Sequence, residues 1–142
     1  MSLRGDAFDF SFKLVEDEAA NDSDKALTVP AGKLWKVMSI YVELATTATT
    51  GNRTMLLEIR DSADDIVYRI NIRDVIAASA TKYLLFAPSS VWLDDYGGTQ
   101  TAPLPNPCII PAGYDIHIYD SAAIDAAADD MEVHMLVQEV DA

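Results

Sequence analysis

Residue types that usually carry chemistry are scarce in this chain: one cysteine, two histidines and six scattered glycines in 142 residues. The lone Cys108 excludes an internal disulfide framework and suits a reducing place of synthesis. Nucleophilic catalysis needs a base oriented by a third group. Only His117 and His134 are available as imidazole bases, and no nucleophile sits in a recognisable elbow. No glycine-rich turn precedes a helix pattern to cradle a phosphate, and no cysteines or histidines are spaced as metal ligands. The expectation is therefore a protein that is not an enzyme, with no cofactor and no metal site.

Bases are scarce too. Ten lysines and arginines stand against 23 acids, a net charge of −13. Such a field repels phosphate backbones and anionic lipid surfaces, so neither nucleic acid nor membrane is an expected partner. The acids keep the chain soluble; a sharper reading is a surface that faces bulk solvent on a crowded assembly. No apolar run is long enough to cross a bilayer, and no signal pattern opens the sequence, which fits a soluble product of a cytoplasm.

What is present is a strand pattern. Half of the residues are apolar, and the length suits one domain that buries roughly two-thirds of its unfolded surface. The triplet Pro-Ala-Gly occurs at 30–32 and again at 111–113. Each follows a short apolar stretch and precedes an alternating one. Proline cannot donate to a ladder and glycine permits positive φ, so each triplet reads as a corner between strands. Two such corners predict an all-β protein, a jelly-roll-like antiparallel β-sandwich of about eight strands.

Phe8, Phe10, Phe12 and Leu14 share one face of a period-two strand, followed by an acidic stretch from Glu16 to Lys25. Residues 1–26 thus read as an N-terminal strand or arm with an acidic loop, and 27–142 as the sandwich domain. The aromatic segment is either a local first strand or an arm that adds to a neighbouring subunit's sheet. From Lys33 to Leu44 the apolar phase changes, with Trp35 and Val37 odd and Met38, Ile40, Val42 and Leu44 even. Either a bulge near Met38 or Ser39 reconciles the two sets, or the strand is buried on both faces. Tyr41, in the odd set, favours some burial on the second face.

A hairpin runs through 54–61 and 66–73 around a turn at 62–65. Its expected inward residues are Met55, Leu57, Ile59, Ile66, Tyr68, Ile70 and Ile72. Arg60, Arg69 and Arg73 line the outward face, partly neutralised by acids such as Glu58. Asp74 to Ala80 reads as a short helical turn. The stretch 88–107 reads as a long irregular loop whose Trp92 and Tyr96, beside Asp94 and Asp95, serve a subunit interface or a sugar-stacking site.

A last hairpin is expected from Tyr114 to Val140 around an Ala- and Asp-rich loop. It places Ile116 and Ile118 inward with Val133, Met135 and Val137, and lets His117 and His134 face each other in an acidic patch with Asp115 and Glu132. A solvated face is the plainer account of that patch, and weak metal binding or a pH-sensitive contact is the alternative. Asp120, Asp125, Asp129 and Asp130 lack the Asp-x-Asp-x-Asp-Gly pattern of a calcium loop. Cupins place a metal-binding histidine three residues after the second-motif glycine; here that position is Ile116, and their first motif is missing, so a cupin metal site is rejected.

The segments Val29-Pro30-Ala31-Gly32 with Trp35 and Val37, Gly51-Asn52-Arg53, Arg60-Asp61, Ile110-Pro111-Ala112-Gly113 and Ala128-Asp129-Asp130 together make the chain resemble the jelly-roll capsid decoration (cement) proteins of tailed bacteriophages. The likeness covers most of residues 27–140. It implies a non-enzymatic virion protein on the capsid exterior, made in the host bacterial cytoplasm. It also implies a homotrimer that stabilises the shell by binding the major capsid protein. The alternative is a carbohydrate- or receptor-binding module of a phage tail or fibre. The residues expected at subunit or capsid contacts are Phe8, Phe10, Phe12, Tyr41, Trp92 and Tyr96.

Overall fold

A computed structural model describes residues 11–20, 24–96 and 98–142. Among these residues eleven strands make two sheets: β1 (Ser11–Asp17), β2 (Lys25–Thr28), β3 (Lys33–Ala45), β4 (Met55–Arg60), β5 (Ile66–Asn71), β6 (Thr81–Pro88), β7 (Leu93–Tyr96), β8 (Thr99–Leu104), β9 (Ile109–Pro111), β10 (Asp115–Asp120) and β11 (Asp130–Asp141). The larger sheet has the order β1-β11-β3-β6-β8-β7, with β9 also on β3; the smaller is β2-β10-β4-β5. No helix occurs among the described residues, and none is long and apolar enough to cross a membrane.

The pairings form a nested series: β1 with β11, β2 with β10, β3 with β6 and β9, and β4 with β5. This is a long antiparallel ribbon rolled upon itself, the jelly roll. Eight strands (β1 to β6, β10 and β11) make the roll; β7, β8 and β9 are additions between its sixth and seventh turns of chain. The two Pro-Ala-Gly corners are one bend of that ribbon seen from its two sides. The first carries β2 into β3 and the second carries β9 into β10, each passing from one sheet to the other. They lie side by side: the Val29 N–H donates to the Tyr114 carbonyl (2.9 Å) and the Gly113 N–H to the Val29 carbonyl (3.0 Å). Gly32 and Gly113 turn at φ of 74° and 82°, which side chains with a Cβ rarely adopt.

The phase change in β3 is a bulge. Val37 pairs with Val137 and Ser39 with Leu136, leaving Met38 as the extra residue. The extra residue lets Trp35 and Val37 before it, and Ile40, Val42 and Leu44 after it, all face the core. One face of β3 is buried, and the doubly buried strand is not needed.

The core sits between the sheets. Leu57, Ile59, Ile116 and Ile118 from the smaller sheet meet Val37, Ile40, Leu84, Phe86, Val133, Met135 and Val137 from the larger one. The Trp35 indole N–H is satisfied by Glu139 Oε2 at 2.8 Å.

Four expectations are corrected. β10 and β11 are not a hairpin: they lie in opposite sheets, β10 between β2 and β4, and β11 between β1 and β3. Their inward residues were rightly phased, but they meet across the core rather than along a ladder. The stretch 88–107 is not structureless, because β7 and β8 form a ribbon in which β8 runs parallel to β6. Residues 74–80 form no helical turn; Ile76 bridges Arg53 and is buried. Ile66 is 46% exposed, since β5 is the edge of its sheet and the core does not reach its first residues.

Candidate interaction surface

Each sheet turns one face to the core and one outward, and the two outward faces differ in chemistry. On the smaller sheet the outward residues form a polar network centred on Glu58, which is fully buried although it points away from the core. Arg60 Nε donates to Glu58 Oε2 at 2.8 Å, Arg69 Nε and Nη2 to Oε1 at 2.8 and 2.6 Å, and the Tyr119 hydroxyl to Oε1 at 2.8 Å. Burial alone would push this carboxyl up; the hydrogen bonds from Tyr119, Arg60 and Arg69 outweigh it and hold the group at about 2. Glu58 therefore neutralises two of the three expected arginines. The third, Arg73, lies over the Trp92 ring at 4.7 Å.

The outward face of the larger sheet is apolar over much of its width, and the ladder registers set its rows. In one row Leu14 of β1 pairs with Leu136 of β11, which pairs with Ser39 beside the Met38 bulge. In the next, His134 pairs with Tyr41, Tyr41 with Leu85, Leu85 with Thr101 and Thr101 with Leu93. Phe12 lies one row away, opposite Gln138, and Ile109 lies opposite Lys36. Phe12, Leu14 and Leu93 are 61%, 54% and 55% exposed; Met38, Tyr41, Ile109 and Leu136 are exposed as well. Tyr41 and Tyr83 stack with centroids 6.3 Å apart, which stiffens the middle of the surface. Burial, with Glu43 and Tyr83 nearby, raises the Tyr41 phenol above its ordinary pKa. Exposed apolar side chains gathered on one sheet face, beside a polar corner at Glu16, Glu132 and His134, mark an interaction site more often than singly scattered ones do.

Two of the six aromatics picked from sequence, Phe12 and Tyr41, stand on this face. Phe8 and Phe10 lie outside the described residues, as does the Tyr96 side chain. Trp92 is half-buried: it packs against the core and carries Arg73 on its ring. Leu14, Met38, Leu85, Leu93, Ile109 and Leu136 were not picked. Leu136 was legible, since an inward Met135 and Val137 force it outward; Leu93 and Ile109 were not, since their strands were read as loop or corner.

Three acids of the loop 121–129 and its borders, Asp120, Asp125 and Asp129, serve as structural acceptors. Asp129 takes two bonds from the buried Arg53, Nε to Oδ2 at 2.7 Å and Nη2 to Oδ1 at 3.0 Å, and one from the Thr47 N–H. Arg53 Nη1 also donates to the carbonyls of Thr49 and Gly51. Asp125 accepts from the Thr47 and Thr49 hydroxyls, and Asp120 from the Thr54 N–H. The segments 51–53 and 128–130 are thus joined by an ion pair. His117 pairs with Ala26 and Glu58 on the smaller sheet, whereas His134 lies between Glu16 and Tyr41 on the larger one, so the expected histidine pair does not form. Cys108 is buried, and burial raises its thiol pKa to about 11, which leaves it a poor nucleophile.

The sequence matches no protein-family model, and no curated protein is significantly similar to it.

Proposed function

We propose that this chain is a non-enzymatic structural protein of a phage virion. In this reading it decorates the capsid exterior and stabilises it by laying the outward face of the larger sheet on the major capsid protein. The observation that carries the reading is the contrast between the two outward faces. One is closed by an internally satisfied Glu58–arginine network; the other exposes Phe12, Leu14, Met38, Tyr41, Leu93 and Leu136. A net charge of −13 favours a position away from packaged nucleic acid. The resemblance in the strand-and-corner segments supplies the identity of the assembly, and the β-sandwich is compatible with it.

Self-association as a homotrimer belongs to the same proposal, because a closed ring of three copies fits a threefold position on a shell. Exposed Ile66 and Val67 on the edge strand β5 offer it a contact separate from the sheet face. The carbohydrate-binding alternative rests on Trp92 and Tyr96 beside Asp94 and Asp95, and Arg73 covers one face of the Trp92 ring.

The test is co-sedimentation of the purified protein with expanded phage shells. The wild type should pellet with the shells, and Leu14→Asp with Leu136→Asp should abolish binding without loss of fold. Binding that survives the double change would remove the sheet face from the proposal. A glycan array showing specific binding that is lost in Trp92→Ala would overturn it in favour of the carbohydrate reading.

A further inference from the structure

We propose that Glu18, Glu132 and His134 form a binding site for a zinc-class divalent cation, with Glu16 orienting the imidazole. His134 projects from the outward face of β11 beside β1, where its Nδ1 lies 2.9 Å from Glu16 Oε2. That contact fixes the ring and turns Nε2 toward Glu18 Oε1 at 3.5 Å and Glu132 Oε2 at 3.8 Å. Ligands about 2.1 Å from a tetrahedral ion stand about 3.4 Å apart, so both separations are close to those of a coordination shell. A carboxylate on the far ring nitrogen is the usual second partner of a metal-bound histidine. Ligand atoms of Glu16, Glu18 and His134 all fall within 4.8 Å of one another.

A separate observation points to a cation at this place. Glu132 stands directly opposite Glu43 across the β11–β3 ladder, and like charges so placed repel. Three carboxylates therefore lie within 3.8 Å of one imidazole, with a fourth, Glu43, opposite one of them, an arrangement that a bound dication relieves. The donor set selects the ion. One nitrogen and two carboxylates suit zinc and its neighbours, whereas calcium and magnesium call for an all-oxygen shell of six or more ligands. Three protein ligands leave a fourth position for solvent. Glu18 lies just beyond β1 while Glu132 and His134 belong to β11, so the ion would pin the end of the edge strand to the body of the sheet.

Calorimetric titration of the full chain with zinc chloride, in a buffer that does not chelate, tests the site. One equivalent should bind; His134→Ala, Glu18→Gln and Glu132→Gln should each weaken it at least tenfold. Glu16→Gln should weaken it by about tenfold, as outer partners of metal ligands do. His117→Ala should leave it unchanged, and calcium or magnesium should give no comparable binding. Zinc should raise the thermal midpoint of the wild type and not that of His134→Ala. Absence of zinc binding, full binding by His134→Ala, or equal binding of calcium would overturn the proposal. Should His134→Ala lose its fold by circular dichroism, Glu18→Gln, at an exposed position beyond the strand, decides the matter. None of these readouts depends on shell binding.

Discussion

Arg53 and Asp129 are both fully buried, and each satisfies the other with two bonds in a fork geometry. Removing one partner leaves a charge without water or counter-charge. Arg53→Ala or Asp129→Ala should therefore cost about 3–5 kcal/mol in chemical denaturation, several times the effect of an exposed change such as Lys36→Ala. Gly51 belongs to the same loop at φ +140°, and a Cβ there would come within 2.8 Å of Ile124 Cδ1. Arg69→Ala should destabilise the chain although the side chain is half-exposed, because its guanidinium holds the buried Glu58. Cys108 is enclosed and its thiol pKa is high; iodoacetamide should label it only when the chain is unfolded, as mass spectrometry of native and denatured samples would show.

At the scale of the element, β3 depends on one residue out of register. Deleting Met38 would remove the bulge and force either Trp35 and Val37 or Ile40, Val42 and Leu44 off the core face. The deletion should abolish cooperative unfolding, whereas Met38→Ser should shift stability by less than about 1 kcal/mol because the side chain is exposed. Near-equal midpoints for deletion and wild type would show that the register does not matter. The two corners illustrate another property of elements. Each triplet signals a bend, and the nested pairing of β2 with β10 and of β3 with β9 is what sets the bends against each other.

For the whole molecule, acid and salt act in defined directions. Glu58 is held at about 2 against an ordinary value of 4.5; against burial, Asp17 is lowered by the Ala19 N–H and Lys25, and Asp129 by Arg53 and the Thr47 N–H. A lowered carboxylate contributes stability that is complete above its unfolded value and lost as pH falls through the folded one. Denaturation midpoints should hold above about pH 5 and fall from about 4.5 toward 2, with Glu58→Gln flattening part of that slope. Asp115, raised by burial, works in the opposite direction. The charge of −13 opposes self-association at low ionic strength, so added salt should favour the proposed trimer. Sedimentation velocity across salt concentrations would show this; a 15.5 kDa monomer throughout would remove the trimer from the proposal.

The sequence by itself determined the apolar face of most of the strands read from it and where the ribbon bends, because alternation, proline and glycine act locally; it left β3 between a bulge and two buried faces, and only the register against β11 chose the bulge. It also set the absence of recognisable catalytic patterns and the excess of acid. It did not determine which sheet a strand joins. Ile116 and Val133 read as inward whether their strands are ladder neighbours or face each other through the core, and only the closure of the jelly roll separates the two cases. That choice decides the rest of the surface. It parts His117 from His134, brings Glu16 and Glu18 from over a hundred residues away to His134, and lines up Leu14, Leu136, Tyr41 and Leu93 on one face. Local pattern is read along the chain, but a site is made by side chains whose proximity depends on long-range pairing, and many pairings bury the same apolar faces equally well.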